Sequence, residues 1–399
     1  MNLVGIMIDV DKILYKCTEQ FEYIDYVCEK NSLKVLESFR RNKVEECHFA
    51  PSNGYGYGNV GRDTLNQVFA DSLGFESALV NANFVSGTHA ISTALFGVAK
   101  PGDSILFITG TPYDTLDKVI NGTRCGSLND FGIKSIIRDY KTDDINIELE
   151  KKPNIVYIQR SRGYSLRSSL RICEINKLIS KVRSISPESI IIVDNCYGEF
   201  VEELEPDADL IVGSLIKNPG AGIAPSGGYI SGKRNLVSLC EQRLLAPGLK
   251  DIGSSTYNRE LFMGLFYAPL AVRESLKSAV FASALFEEAG FEVFPKFNEV
   301  RADIVSSINL RSEENLKIFC KSIQEFSPVD SFLTPEPWRM PGYSHDVIMA
   351  AGGFISGSSI ELSADAPVKE PYTVWFQGGT NFYLAKYALI NAYIRIKKI

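Results

Sequence analysis

Between residues 103 and 232, six short β-rich runs alternate with segments of helical periodicity, and this alternation limits the chain to few architectures. The runs are DSILFIT (103–109), IKSIIRDY (133–140), NIVYIQ (154–159), SIIIVD (189–194), ADLIVGS (208–214) and GGYISG (227–232). Several are apolar at consecutive positions, as a strand covered on both faces must be. Stretches such as SLRICEINKLISKVRSI (169–185) place apolar residues at helical spacing between them. Strand and helix in alternation predict an α/β fold built on a large, mostly parallel sheet. In such sheets ligands bind beyond the carboxyl ends of the strands, so the residues that close each run are the first candidates for chemistry.

The pattern changes after residue 255. A long helical stretch (257–289) leads to EVFPKF, the strand DIVSSINL (303–310), a helix over 312–326, a Gly-rich region, the strand YTVWFQ (372–377) and a closing helix. Strands are fewer and more alternating here. The expected division is an N-terminal helical arm over 1–45, a large α/β domain over 46–255 and a smaller C-terminal α+β domain over 256–399. A chain of 399 residues, 45% hydrophobic and 23% charged, has the apolar material for both cores. Its formal net charge of −6 offers no basic excess to neutralise a phosphate backbone, which argues against nucleic acid as a partner. No apolar run approaches the ~20 residues that cross a bilayer. The N-terminus lacks a positive leader and is interrupted by Asp9 and Asp11, unlike a secretory signal. Eight cysteines without a CxxC pair read as reduced thiols, and three histidines without ligand spacing make a metal site improbable. A cytoplasmic location is the resulting expectation.

The run ADLIVGS opens into GSLIKNPGAGIAPSGGY (213–229), where a single lysine, Lys217, stands in a loop of Gly, Pro and Ala. Such a lysine can hold a phosphate, bond covalently to a cofactor or face solvent. Asp194 closes the preceding run, SIIIVD; alone it reads equally as a helix cap or a turn residue. Together, an acid and a lysine at neighbouring strand ends suit pyridoxal 5′-phosphate (PLP). The lysine makes the covalent link, and the aspartate keeps the pyridine nitrogen protonated so that the ring withdraws electrons. NFVSGTHAISTALFG (83–97) begins β-like, breaks at Ser86-Gly87-Thr88 and turns helical. That turn can present free N–H groups to a phosphate or simply cap its helix. His89 lies in the same turn, as a structural residue or a cofactor contact. Tyr113, in TGTPYDTL (109–116), can stack on a planar ring or serve packing. Ser214 is a further phosphate candidate.

Gly56-Tyr57-Gly58-Asn59-Val60-Gly61 satisfies the GxGxxG pattern, but CHFAPSN before it contains Pro51 and does not read as a strand. The dinucleotide reading therefore fails. A tyrosine-rich glycine loop followed by Arg62 better suits a segment reaching toward an anion, such as the phosphate of a partner subunit.

The order of phosphate turn, tyrosine, aspartate and lysine is that of fold-type I PLP enzymes. The motifs VSGTHAI, TGTPYDTL, IQRSRGYSLR, VDNCYGEFVE, GSLIKNPGAGIAPSGGYI, PEPWRMPGY and SIELSAD resemble the methionine gamma-lyase-like family often labelled "aluminum resistance protein". That family is a relative of the cystathionine-metabolising PLP enzymes. The resemblance covers roughly residues 50 to 399 and leaves the arm largely out. It implies PLP as cofactor, with Lys217 as covalent anchor, Asp194 as partner of the ring nitrogen and Tyr113 stacked on the ring. It places Ser86, Gly87, Thr88 and Ser214 around the phosphate. Tyr57 and Arg62 resemble residues lent across a dimer interface to the neighbour's phosphate, with Tyr55 as the alternative to Tyr57. A homodimer or homotetramer with shared sites is implied.

Two positions depart from the pattern. Ile216 stands where better-known relatives often carry a phosphate-binding Thr. Lys369, in APVKEPY, stands where the family usually has Arg, and a bidentate grip on a substrate carboxylate would be lost there. Arg160 and Arg162, in QRSRGY, follow a strand end and are candidates for that carboxylate, or else surface arginines. Gln159 is a candidate contact for the ring hydroxyl. The implied activity is a carbon–sulfur lyase that eliminates a thiol or sulfide from an amino acid of the methionine, cysteine or cystathionine type. The rivals are a PLP aminotransferase or another amino-acid lyase, and a PLP-binding protein without turnover.

Overall fold

The computed structural model describes residues 8–53, 58–250, 256–340, 343 and 345–398. Seven strands form the first sheet: β1 (Ser77–Asn81), β2 (Ser104–Phe107), β3 (Lys134–Ile137), β4 (Ile155–Gln159), β5 (Ile190–Asp194), β6 (Leu210–Ser214) and β7 (Gly228–Gly232). Their order is β1-β7-β6-β5-β4-β2-β3. The pairs from β3 to β6 are parallel, and β7 runs antiparallel to both of its neighbours. The helices, in chain order, are α1 (Val10–Lys16), α2 (Thr18–Arg41), α3 (Val60–Leu73), α4 (Gly87–Val98), α5 (Asp117–Asn121), α6 (Asn146–Leu149), α7 (Ile172–Ile185), α8 (Arg234–Leu244), α9 (Asn258–Glu288), α10 (Glu313–Glu325) and α11 (Phe382–Lys397). No described helix is long and apolar enough to cross a membrane.

The continuous apolar runs are explained by two cores, one on each face of this sheet. Side chains alternate across a strand. Val156, Ile158, Ile191, Val193 and Ile211 therefore pack with Ile175, Ile179 and Val182 of α7. Ile155, Tyr157, Ile192, Leu210 and Val212 face the other way, onto Ala90, Ile91 and Leu95 of α4 and Leu236 and Val237 of α8. Each such aliphatic side chain contributes about 1.5–3 kcal/mol by leaving water.

The second sheet has six strands, β8 (Glu292–Phe294), β9 (Val305–Asn309), β10 (Trp338–Arg339), β11 (Asp346–Ala350), β12 (Leu362–Pro367) and β13 (Thr373–Gly378). They are ordered β10-β11-β12-β13-β9-β8, and every neighbouring pair is antiparallel. The Gly-rich region before YTVWFQ, for which the sequence suggested no strand, contains β10, β11 and β12. Likewise the β-like run at 83–85 is irregular, and the strand of that region is β1. In the arm, α2 is docked: Asn31 Nδ2 donates to Phe200 O (3.0 Å) and Glu202 O (3.1 Å). Asp25 pairs with Arg273 and Lys277 of α9. Ahead of α3 lies a 3₁₀ turn, Glu46–Phe49, and the described residues that follow it, 50–53, form no strand.

Candidate active site

Gln159, Asp194 and Ser214 end three adjacent parallel strands, β4, β5 and β6. Counting in twos from Tyr157, Ile192 and Val212 puts all three on the face covered by α4. Over that face stands the N-terminus of α4. A Cβ added at Gly87 would lie 3.2 Å from Ser214 Cβ and 3.4 Å from Cys196 Sγ, so the turn touches the strand ends directly. Ser86 Oγ accepts the His89 N–H (3.1 Å) and so caps the helix. Helix geometry leaves the N–H groups of Gly87 and Thr88 without intrahelical acceptors. Ser214 Oγ is buried with no partner. A small anion held by those donors and the positive end of α4 is the group this cup fits. Thr88 Oγ1 lies 2.9 Å from Thr115 Oγ1. His89 is occupied structurally: its Nδ1 accepts the Val85 N–H (3.3 Å), and its ring stands edge-on to Phe84.

Asp194 is fully buried. Tyr157 donates to its Oδ2 (3.0 Å), and the Cys196 N–H donates to its Oδ1 (3.1 Å). Burial pushes its carboxyl up, while these hydrogen bonds and the charge of Lys217 favour the ionised form. The Lys217 ammonium sits 3.7 Å from the centroid of the Tyr197 ring. Burial opposes charge on Lys217, but the acidic groups around it, Tyr197 ahead of Cys196 and Asp194, outweigh that and raise its pKa. Tyr197 and Cys196 are themselves pushed up by burial. Tyr113 is fixed by its N–H to Gln159 Oε1 (3.1 Å) and by Gly163. A Cβ at Gly163 would come within 2.6 Å of the Tyr113 ring. Lys217, Asp194, the Ser86–Thr88 turn and Ser214 thus form one constellation. The orphaned Ser214 hydroxyl and the cup open at Gly87 fit a phosphate-bearing cofactor.

A model of the methionine gamma-lyase family matches residues 7–397. The chain belongs to the methionine gamma-lyase family. The match begins at residue 7 and so takes in the arm, which the sequence motifs had left out. YnbB of Bacillus subtilis, described only as uncharacterized, is 46% identical over 383 residues, 92% of this chain and 91% of YnbB. The crystal structure of a carbon-sulfur lyase involved in aluminum resistance from Clostridium novyi NT is 44% identical. It matches with a TM-score of 0.92 over 97% of this chain and 94% of its own. L-methionine gamma-lyase of Fusobacterium nucleatum subsp. polymorphum is 27% identical over 223 residues, 54% of this chain and 49% of that enzyme. The fold is that of type I PLP enzymes, with a large, mostly parallel sheet and a smaller antiparallel one.

Other predicted residues of this methionine gamma-lyase family member lie apart from Lys217 or are otherwise engaged. Arg160, fully buried, gives its guanidinium to Asn195 (2.8 Å), Glu202 (3.2 Å) and Glu205 (3.3 Å). Arg162 donates to Phe294 O (2.5 Å) and lies over the Phe294 ring. Both arginines are thus buried rather than at the surface; Arg160 is held by Asn195, Glu202 and Glu205, while Nε and Nη1 of Arg162 have no hydrogen-bond partner. Lys369 is exposed on the turn between β12 and β13, its N–H donating to Pro367 O (2.9 Å). Arg62 is buried beside Asp63 (2.9 Å), with Nη1 lacking a partner. Tyr57 and Tyr55 lie outside the described residues.

The site also holds side chains to which the sequence reading gave no role: Tyr157, Cys196, Tyr197, Tyr164 and Asp365. The signal for Tyr157 was parity, two residues before Gln159 on one strand. Asp365 stood in the quoted SIELSAD motif, but its partners are non-local. It faces Tyr164 and Lys217 only because β12 is brought against the large sheet.

Proposed function

We propose that the chain is a PLP-dependent carbon–sulfur lyase that eliminates a thiol or sulfide from a sulfur amino acid. The observation that carries this reading is the convergence of Lys217, Asp194, Ser214 and the α4 N-terminus at the ends of adjacent strands. The family, and the lyase names of the relatives above, support the chemistry. In this reading Ser86, Gly87, Thr88 and Ser214 hold the phosphate, Tyr113 packs on the ring face, and Asp194 faces the ring nitrogen. When bound, PLP supplies an electron-withdrawing ring that makes the substrate Cα–H acidic and its sulfur a leaving group. Lys217 moves the Cα proton, and its high basicity inside a buried, acidic surround suits it to hold that proton. Asp194, which accepts from Tyr157 and the Cys196 N–H, would face the ring nitrogen and stabilise positive charge there. Tyr113 and Tyr197, both half-buried, narrow the access of water to the reacting atoms.

The working unit in this reading is a homo-oligomer, a dimer or tetramer, in which Tyr57 and Arg62 complete the neighbour's phosphate site. Met263, Phe266, Tyr267 and Leu270 support it: they form an exposed apolar stripe at helical spacing on α9. Asn258, on the same helix, meets the backbone beside Arg62 at Gly61. A cytoplasmic location is part of the reading, supported by eight cysteines that are all free thiols.

Incubating PLP-loaded protein with methionine, cysteine and cystathionine, and assaying thiol or sulfide together with keto acid, tests the proposal. Release of both products is expected. Transfer of the amino group to an added keto acid without release of sulfur would replace the lyase by an aminotransferase.

A further inference from the structure

Away from the Lys217 site, the arm does not close flush against the rest of the chain. Between α2, α9, Val201 and residues 298–301 lies a half-open cavity of about 220 Å³. Its inner walls are aliphatic and buried: Ile24 and Val27 of α2, Leu276 and Val280 of α9, and Val201. Gln20, Ile24 and Val27 share one face of α2 by their helical spacing, and Leu276 and Val280 share one of α9. None of the side chains that line the cavity belongs to the Lys217 site.

The cation that lines it is Arg301, only 5% exposed. Its hydrogen bonds go to neutral acceptors. Nη1 donates to Val305 O (3.3 Å) and Ser306 Oγ (2.9 Å), and Nη2 to Ala279 O (3.0 Å) and Ser283 Oγ (2.8 Å). Nε has no partner. Asp303, two residues on, is engaged elsewhere: Oδ2 accepts from Ser161 (2.7 Å) and Ser169, and Oδ1 from the Val305 N–H (3.0 Å). Burial pushes the Arg301 pKa down to about 10 against the pull of Asp303, so the guanidinium is charged at neutral pH. A buried cation held by neutral groups is costly, and an anion beside it lowers that cost.

The rim carries the opposite sign. Glu19 and Glu299 line the cavity and are exposed, and Gln20 Oε1 beside Glu19 is an acceptor without a donor. A simple anion is repelled at this rim, and a simple cation meets Arg301 within. A zwitterion satisfies both. An apolar cavity of about 150 Å³ takes up benzene, so a body of roughly four or five carbons fits between these walls. We propose that the cavity binds a small aliphatic α-amino acid, its carboxylate toward Arg301, its ammonium toward Glu19, Glu299 and Gln20, and its side chain on the aliphatic walls. The site is separate from Lys217, and the proposal does not depend on the lyase reading.

The test is calorimetric titration with three probes that share one branched chain. They are L-leucine, 4-methylpentanoate, which lacks the ammonium, and 3-methylbutylamine, which lacks the carboxylate. The chain is first loaded with PLP and reduced with borohydride, which fixes the cofactor and closes the Lys217 site to amines. One leucine per chain is expected to bind, about 10–100-fold more tightly than either other probe, as for loss of a charged hydrogen bond. Val27→Phe, which fills the cavity, is expected to abolish binding with the fold retained by circular dichroism. If Val27→Phe does not fold, Glu19→Lys on the exposed rim decides in its place. It is expected to lower the preference for leucine over 4-methylpentanoate by about 3–10-fold. No uptake of leucine at millimolar concentration, equal binding of leucine and either other probe, or binding that survives Val27→Phe overturns the site. So does a preference that Glu19→Lys leaves unchanged.

Discussion

At the scale of single residues, the site depends on close approaches that a methyl group would block. Gly163 has φ of +59°, and its missing Cβ makes room for Tyr113. Gly163→Ala is expected to displace the ring and weaken PLP binding, read by cofactor titration, with the fold retained by circular dichroism. Asp194→Asn keeps the volume but removes the charge facing the ring nitrogen. Turnover is expected to fall by about 100-fold or more while the cofactor still links to Lys217; unchanged turnover would remove Asp194 from the chemistry. Behind the site, burial pushes the Glu199 carboxyl up from 4.5 to about 8, while Tyr229 donates to it at 2.9 Å. The native state then holds a proton that the unfolded chain releases. The stabilisation is complete below about 4.5 and is lost as pH rises through about 8. Glu199→Gln is expected to flatten the pH profile, with the difference from wild type changing by up to roughly 1.4 kcal/mol per pH unit in that window. Parallel profiles in chemical unfolding from pH 5 to 8 would contradict this.

At the scale of elements, α2 holds the segment that follows the Asp194 strand. Asn31→Ala leaves Phe200 O and Glu202 O without their donor and is expected to destabilise by about 2–4 kcal/mol, measured by denaturant unfolding. The parallel strands were legible because apolar residues occur at consecutive positions, which only a sheet covered on both faces tolerates. The ends of those strands then pointed to Asp194 and Ser214. β10, β11 and β12 were not legible: Gly, Pro and Ser break up their surroundings, and non-local pairing decides them. The same limit explains the arginines. QRSRGY at a strand end suits a substrate carboxylate, but Glu202 and Glu205, distant in sequence, claim Arg160. Arg162 is claimed by Phe294 in the second sheet.

At the scale of the whole molecule, the proposal needs two chains. Lys217→Ala and Arg62→Ala should each abolish or cripple activity alone. Mixing the two after dissociation should restore one working site per hybrid dimer, since the Lys217-bearing subunit receives its Arg62 from the partner. No restoration would place Arg62 in its own subunit's site or in structure alone. Phe266→Glu, on the exposed stripe of α9, is expected to shift the assembly toward monomer in light scattering, with loss of activity. All of these roles require Lys217 to be the covalent anchor for PLP, which intact-protein mass spectrometry after borohydride reduction would test. One cofactor per chain is expected, mapped to the peptide containing Lys217 and absent from Lys217→Ala. A chain that takes up no cofactor, or carries it on a different lysine, would contradict it.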